Sequence, residues 1–401
     1  MSGTNSIPEM PFRADCEEHA GLRGLDRRDA LLALRVRTFV REELGVDWRG
    51  ARLLLSLSGG IDSTALLCLL LALRPLENLT LAAAHLDHCL RPESGDDAAY
   101  VRALCAAWEI PLHERKEDIR ARAQAGAIGE EEAGRTARRA FLAETASLIH
   151  ADWVLLAHHA DDLAEDILMR LMRGAAWPGL GGMRGCDPAP GLPLLRPLLM
   201  EEKASLRGLL ERLHVPWRED ATNSERIGRR NRIRLDVLPM FKAENPAFLD
   251  VARRMWRSAR QDERYWRDLL DEIFDESRQG AESAAEEAGG LLLPGEKLLS
   301  LPESARLRAY RFALERMALS FPLEAKGGIQ ARHAVLFALD RALREKRHGK
   351  RFLFSGGLQA ELSSRGVYFC LKKQPVDDVE RESPYKGRRR VSSPAAYRAD
   401  P

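Results

Sequence analysis

The sequence predicts an α/β protein: a parallel, doubly wound sheet, then a helical domain and a small C-terminal α+β module. Three observations predict it. Short apolar runs alternate with helix-period patterns between Arg52 and Arg173. One of these runs, Leu53 to Leu57, passes through Ser58-Gly59-Gly60 straight into a helix pattern. From Glu201 to Phe274 helical periodicity dominates. Strands separated by helices of this length pair in parallel, with both faces of the sheet covered.

Taken in order, residues 1–27 mix Gly, Pro and charge without periodicity and read as a loose extension. Arg28 to Leu44 sets Leu31, Leu32, Leu34, Val36, Phe39 and Val40 at helical spacing and stops at Gly45. Arg52 to Leu57 is a strand and Asp62 to Leu73 a helix; Leu79 to His85 and Gly95 to Trp108 repeat the pair. Glu130 to His150 is a long helix, Trp153 to Ala157 a buried strand, and Asp161 to Arg173 a helix again. Arg278 to Gly290, rich in Ala, Glu and Gly, reads as a surface connection. Ser304 to Leu319 and Arg332 to Lys346 are helical, and Phe352 to Phe354 and Val367 to Leu371 are short strands. The expected division is an α/β domain over 28–240, a helical domain over 241–330 and a C-terminal module over 331–374. The polar tail 375–401 is expected to be disordered.

Composition narrows the function. A formal net charge of +2 argues for no polyanion by itself, but the basic residues cluster. Arg226 to Arg234 holds five arginines, and Arg341 to Arg351 holds six Lys or Arg against one Glu. Such local excess suits a phosphate backbone. The six cysteines never form a C-x-x-C pair, which argues against a zinc ribbon, a cluster ligand set or a disulfide framework. No apolar run approaches a membrane span, and the N-terminus lacks a signal-peptide core, so the expected location is cytoplasmic.

The strongest chemical signal is Ser58-Gly59-Gly60-Ile61-Asp62-Ser63-Thr64 between a buried strand and a helix. The glycines let backbone N–H groups approach a phosphate, the hydroxyls donate, and the helix N-terminus favours the anion. Asp62 would repel a phosphate unless a cation lay between them, which suggests Mg²⁺ or a base near the reacting group. No Walker-type loop occurs. A second cluster, His158-His159-Ala160-Asp161-Asp162 with Glu165 one helical turn on, lies at the C-terminal end of a strand, where open α/β sheets bind ligands. An acidic helix N-terminus explains the two aspartates but not the paired histidines. Arg135 and Arg138 share a helical face and could neutralise developing phosphate charge.

The loop resembles the PP-loop of the ATP pyrophosphatases, Rossmann-like enzymes that cleave ATP to AMP and pyrophosphate. Within that superfamily four further segments resemble the tRNA(Ile)-lysidine synthetases. These are His85-Leu86-Asp87-His88-Cys89-Leu90-Arg91, Glu132 to Arg139, His158 to Glu165, and Asp220 to Asn223 followed by Arg230-Asn231-Arg232-Ile233-Arg234 and Leu238-Pro239. Cys89 stands where that family usually has glycine, and Arg139 where it has an aromatic. The resemblance implies an ATP- and Mg²⁺-dependent ligase acting on L-lysine and an isoleucine tRNA with a CAU anticodon. The wobble cytidine would be adenylated, then lysine would displace AMP. It also implies site residues: Ser58, Gly59, Gly60, Ile61, Asp62, Ser63, Thr64 and His85 for ATP, with Asp62 on the metal. Arg138, with Arg135 as alternate, would meet the α-phosphate. His158, Asp161, Asp162, Asn223 and Arg234 would bind lysine or the intermediate, Asp162 could both bind the lysine amine and deprotonate it, and the C-terminal module would bind tRNA. The alternative is another PP-loop enzyme such as a tRNA thiolase, for which the paired cysteines are lacking.

Overall fold

The computed structural model describes residues 21–89, 94–188, 191–219, 228–275, 290–320 and 333–371. The chain divides between Asp271 and Glu272 into two compact units. This division coincides with neither sequence-derived boundary, 240/241 or 330/331.

The first unit opens with α1 (Arg27–Thr38), capped by the Asp26 carboxylate on the Asp29 N–H, and a π-helical turn at Phe39–Glu43. Then follow β1 (Arg52–Ser56), α2 (Ile61–Glu77), β2 (Thr80–Asp87), α3 (Ser94–Ala107), β3 (Leu112–Lys116), α4 (Ile119–Gly126), α5 (Glu130–Leu148), β4 (Trp153–Leu155) and α6 (Ala160–Met172). Two short strands, β5 (Cys186–Asp187) and β6 (Leu194–Leu195), precede α7 (Lys203–Arg212), α8 (Arg229–Arg232), α9 (Leu238–Glu244) and α10 (Phe248–Asp275). The sheet order is β3-β2-β1-β4-β6-β5, parallel throughout except for β5 against β6. The expected parallel, helix-covered sheet is therefore present.

The alternation of side chains along β1 builds two cores from one strand. Leu53 and Leu55 pack with Leu66, Leu70 and Leu73 of α2, Leu32 and Val36 of α1, and Leu206, Leu209 and Leu210 of α7. Leu54 faces the other way, with Val154 of β4 and Phe141, Leu142 and Ala146 of α5. A third cluster joins Leu163 and Ile167 of α6 to Trp256 of α10 and to Ile233 and Leu238.

The second unit holds β7 (Leu291–Pro294), α11 (Gly295–Ser300), α12 (Glu303–Ser320), α13 (His333–Arg344), β8 (Arg351–Leu353), β9 (Leu358–Ser363) and β10 (Gly366–Leu371). Its antiparallel sheet runs β7-β10-β9-β8. The sequence reading has only the edge strand β8 and the inner strand β10 of this sheet. β7 lies in a stretch given no element of its own within the expected helical domain 241–330, and pairs Leu291 with Phe369. Its core is closed by a buried charge: Arg306 donates from Nε and Nη2 to the two Asp340 oxygens at 2.6 and 3.0 Å, and the Tyr310 hydroxyl donates to Oδ1. Among the described residues, no helix of either unit is long and apolar enough to cross a membrane.

Candidate active site

Sheet order dictates where the site falls. From β1 the chain winds outward through β2 and β3, then returns to lay β4 on the other side of β1. The connections leaving the C-terminal ends of β1 and β4 therefore diverge, and ligands enter open α/β sheets at such a point. Here it brings Ser58 to Asp62 beside His158 to Asp162.

The loop after β1 is tightly self-bonded. Ser63 Oγ accepts from the Ser58 N–H at 3.2 Å, lies 3.0 Å from Ser58 Oγ and donates to the Gly60 carbonyl. Gly59 adopts φ +83°, and a Cβ there would meet Val101 Cγ2 at 3.1 Å and Tyr100 Cδ1 at 3.2 Å, so only glycine fits. Its carbonyl accepts from the Arg218 N–H at 2.9 Å, which fastens the loop to the segment after α7. Gly60 is the N-cap of α2, so the first free N–H groups of that helix open onto the loop. Ser58 is exposed and Gly60 partly so, whereas Ile61, Ser63 and Thr64 are buried. Direct phosphate contact is thus open to Ser58, the backbone and Asp62, while Ile61 and Thr64 hold the loop from beneath. His85 is also buried, its Nδ1 2.9 Å from the Leu57 carbonyl, and supports the strand end rather than lining the surface.

His159 is the hub of the site. It caps α6, is 2% exposed, and lies between three carboxylates. Its Nε2 is 3.5 Å from Asp62 Oδ1 and 3.3 Å from Asp162 Oδ2, and its Nδ1 is 3.4 Å from Asp161 Oδ2. Burial alone would depress its pKa, but Asp162, Asp161 and Asp62 outweigh burial and push it up to about 10. The ring is an imidazolium at neutral pH. Its neighbour His158 is the opposite: burial, with Arg196 and Arg230 against Asp162, lowers it to about 4. His158 Nδ1 accepts from Arg196 Nε at 3.2 Å, so the neutral ring carries its proton on Nε2.

Beyond His159 lies a box of two carboxylates and two guanidiniums. Arg230 donates to Glu165 Oε2 at 2.9 Å and Asp162 Oδ1 at 2.8 Å. Arg234, one helical turn on, donates to Glu165 Oε1 at 2.6 Å and Asp162 Oδ1 at 3.0 Å. Burial would raise the Asp162 pKa, but His159, His158, Arg230 and Arg234 bring it down to about 2. Asp161 turns aside, held by Lys242 Nζ and by the Lys203 N–H at 3.2 Å. On the flank of α5, Arg135 and Arg138 are exposed, and Arg138 Nη2 lies 3.0 Å from His88 Nε2. Burial and Arg138 lower His88 to about 4, so it stays neutral.

The structure thus brings together Asp62, Asp161, Asp162 and Arg234, sets His158 next to them, and puts Arg135 and Arg138 on the adjoining helix. Asn223 lies outside the described residues. Sequence reasoning missed His159, Arg230 and Lys203, whose Nζ is 4.0 Å from Asp62 Oδ2. The His-His pair and the i, i+4 spacing of Arg230 and Arg234 were the available signals; Lys203 had none.

A strand running through a Ser-Gly-Gly turn into a helix, at the switch point of a parallel sheet, defines an ATP-binding PP-loop protein, and the PP-loop domain model matches residues 33–241. Among curated relatives, the tRNA(Ile)-lysidine synthase of Nitratidesulfovibrio vulgaris is 40% identical over 337 residues, 82% of this chain and 94% of that protein. Enzymes of the same name from Solibacter usitatus and Geobacter sulfurreducens are 37% and 35% identical over 66% and 71% of this chain. The chain spans 57% and 59% of those two longer proteins. This chain belongs to the tRNA(Ile)-lysidine synthase family, PP-loop ligases that modify tRNA.

Proposed function

We propose that the chain ligates L-lysine to C2 of the wobble cytidine in isoleucine tRNA with a CAU anticodon. Cytidine O2 attacks the ATP α-phosphorus; the P–O2 bond forms and the bond to pyrophosphate breaks. The lysine ε-amine, having lost a proton, then attacks C2. The C2–O2 bond breaks, and O2 leaves with AMP.

One observation carries this reading. His159 joins the phosphate loop, through Asp62, to the Asp162–Glu165–Arg230–Arg234 box, so nucleotide and second substrate would share one continuous site. The box suits an amino acid with a second amine: carboxylates for ammonium groups, guanidiniums for an α-carboxylate. Asp162 was expected both to bind the lysine amine and to take its proton. A carboxylate with a pKa near 2 is a poor proton acceptor at neutral pH, so we assign it the binding role alone. Arg138 and Arg135 would meet the α-phosphate from α5. The exposed loop N–H groups and the Ser58 hydroxyl would cradle the outer phosphates.

Mg²⁺ fits the loop. Asp62 Oδ1 is buried without a hydrogen-bond partner, and Mg²⁺ takes one or two carboxylates together with phosphate and water oxygens. Among the described residues no group of three His, Cys, Asp or Glu could hold a metal alone, in keeping with an ion carried chiefly by the triphosphate. When bound, the ion would spread the charge that develops on pyrophosphate. Sulfur transfer gains no support from Cys68 or Cys105, which are core residues whose thiols are raised by burial, Cys105 to about 12.

The test separates the first half-reaction from the second. Without lysine, the full chain should exchange labelled pyrophosphate into ATP only when the tRNA is present, and a wobble uridine should abolish the exchange. Exchange independent of tRNA would overturn the reading.

A further inference from the structure

The loop Ser58 to Thr64 supplies N–H groups, hydroxyls and a carboxylate, but no cation. Cleavage of a triphosphate needs positive charge beside the leaving pyrophosphate. Apart from Arg135 and Arg138 on α5, assigned above to the α-phosphate, the nearby cations are committed. His159 is enclosed by three carboxylates, and Arg230 and Arg234 are bound to Asp162 and Glu165. Lys242 is on Asp161, Arg218 on Asp97, and Arg196 on His158 and the Arg184 carbonyl. Lys203 differs from all of them.

Lys203 is the first residue of α7, and its own N–H is pinned to Asp161 Oδ2 at 3.2 Å. Its backbone is therefore fixed to Asp161, one of the three aspartates around His159. The side chain is 41% exposed and leans over the loop, with Nζ 4.0 Å from Asp62 Oδ2. That is beyond a hydrogen bond, and an ion pair this exposed adds little to stability. Among the described residues the one ion pair of this ammonium is thus a weak one, with the carboxylate that fits Mg²⁺.

We propose that Lys203 is a substrate-contacting residue whose ammonium leaves Asp62 for the triphosphate when the metal–nucleotide complex arrives. The inference rests on the ATP reading above. A cation taken up by Asp62 would repel an ammonium at this distance, while the accompanying phosphates offer it a stronger partner. Four methylenes give the ammonium the reach to change partners without moving α7. Before nucleotide binds, Lys203 and His159 together balance Asp62; once it binds, the metal would take over from Lys203.

The experiment is calorimetric titration of the full chain with α,β-methylene-ATP plus Mg²⁺, and separately with adenosine, which has no phosphate. Lys203→Met should raise the Kd for the analogue about ten- to a hundredfold, the range of a charge-assisted hydrogen bond. Adenosine should bind within twofold of wild type, and Lys203→Arg should keep the analogue within about threefold. An analogue Kd within twofold in a folded Lys203→Met protein would overturn the proposal. Equal weakening of adenosine would do the same, since it would signal a structural role. Failure of the wild type to bind the analogue would instead overturn the ATP reading itself.

Discussion

Two buried charge clusters, one in each unit, show how a structural ion pair differs from a chemical one. In the second unit Arg306 and Asp340 are 7% and 1% exposed and fully matched. Arg306 Nε and Nη2 take the two carboxylate oxygens, Nη1 takes the Leu301 carbonyl, and Tyr310 and Arg344 complete Asp340. In the first unit Asp62, His159, Asp162, Glu165, Arg230 and Arg234 are equally charge-rich but unevenly matched. Asp162 Oδ1 serves two guanidiniums, while Asp62 Oδ1 and His159 Nδ1 lack hydrogen bonds. A closed cluster has no capacity left for a ligand. The open one holds charges in place with valences to spare, as a site for a cation and an amino acid requires.

The largest effect expected from this contrast is on stability. Asp340→Ala strands the Arg306 guanidinium and should cost about 3–5 kcal/mol, read by denaturant unfolding, while α,β-methylene-ATP binding persists. The double variant Arg306→Met/Asp340→Leu should recover most of that loss, because apolar replacement of a buried pair is often neutral. No recovery would mean that the pair does more than fill the core.

At the open cluster the expectation is reversed. Asp62→Asn should reduce tRNA-dependent pyrophosphate exchange about 10²- to 10³-fold, comparable to removal of one electrostatic stabiliser, with the melting temperature little changed. A smaller step follows for the guanidiniums. Arg230→Lys keeps the charge but loses the fork, and should raise the KM for lysine about tenfold with exchange intact. An equal fall in exchange would place Arg230 with the nucleotide.

The smallest effects are in pH dependence, where the adjacent histidines should act in opposite directions. His159 has a folded pKa near 10, above its unfolded value of about 6.5, so its contribution is complete below about pH 6.5 and is lost as pH rises towards 10. His158 and His88, near 4, contribute stability that is present above about pH 6.5 and lost as pH falls towards 4. Melting temperatures from pH 5 to 9.5 should show His159→Gln flattening the alkaline limb and His158→Gln the acid limb. Identical profiles for the two variants would contradict the assignment of charge to His159 alone.

Much of the first unit was legible because its signals are local. Leu53 to Leu57 reads as a buried strand, Gly59-Gly60 as a turn, and the leucines of α2 as a helix. β3, Leu-His-Glu-Arg-Lys, was illegible because an edge strand needs no apolar run. β9 alternates buried and partly buried residues but follows a Gly-Gly turn closely, and β7 becomes a strand only by pairing with β10. Within the site, residue types were readable but allocation was not. Sequence shows two histidines after β4; only the packing of α6 decides that His159 goes inward among aspartates and His158 towards Arg196. Lys203 arrives from a different crossover, and its nearness to Asp62 follows from sheet order alone.

On the proposed function, one continuous site first adenylates a tRNA base and then transfers lysine to it. This order of steps is tested most directly by incubating the full chain with ATP, Mg²⁺, radiolabelled lysine and a CAU-anticodon isoleucine tRNA transcript, with the CAU methionine tRNA as control. Label is expected on the isoleucine tRNA alone, with AMP and pyrophosphate released in amounts equal to the lysine bound. ATP cleavage without label on the tRNA, or label on both tRNAs alike, would contradict it.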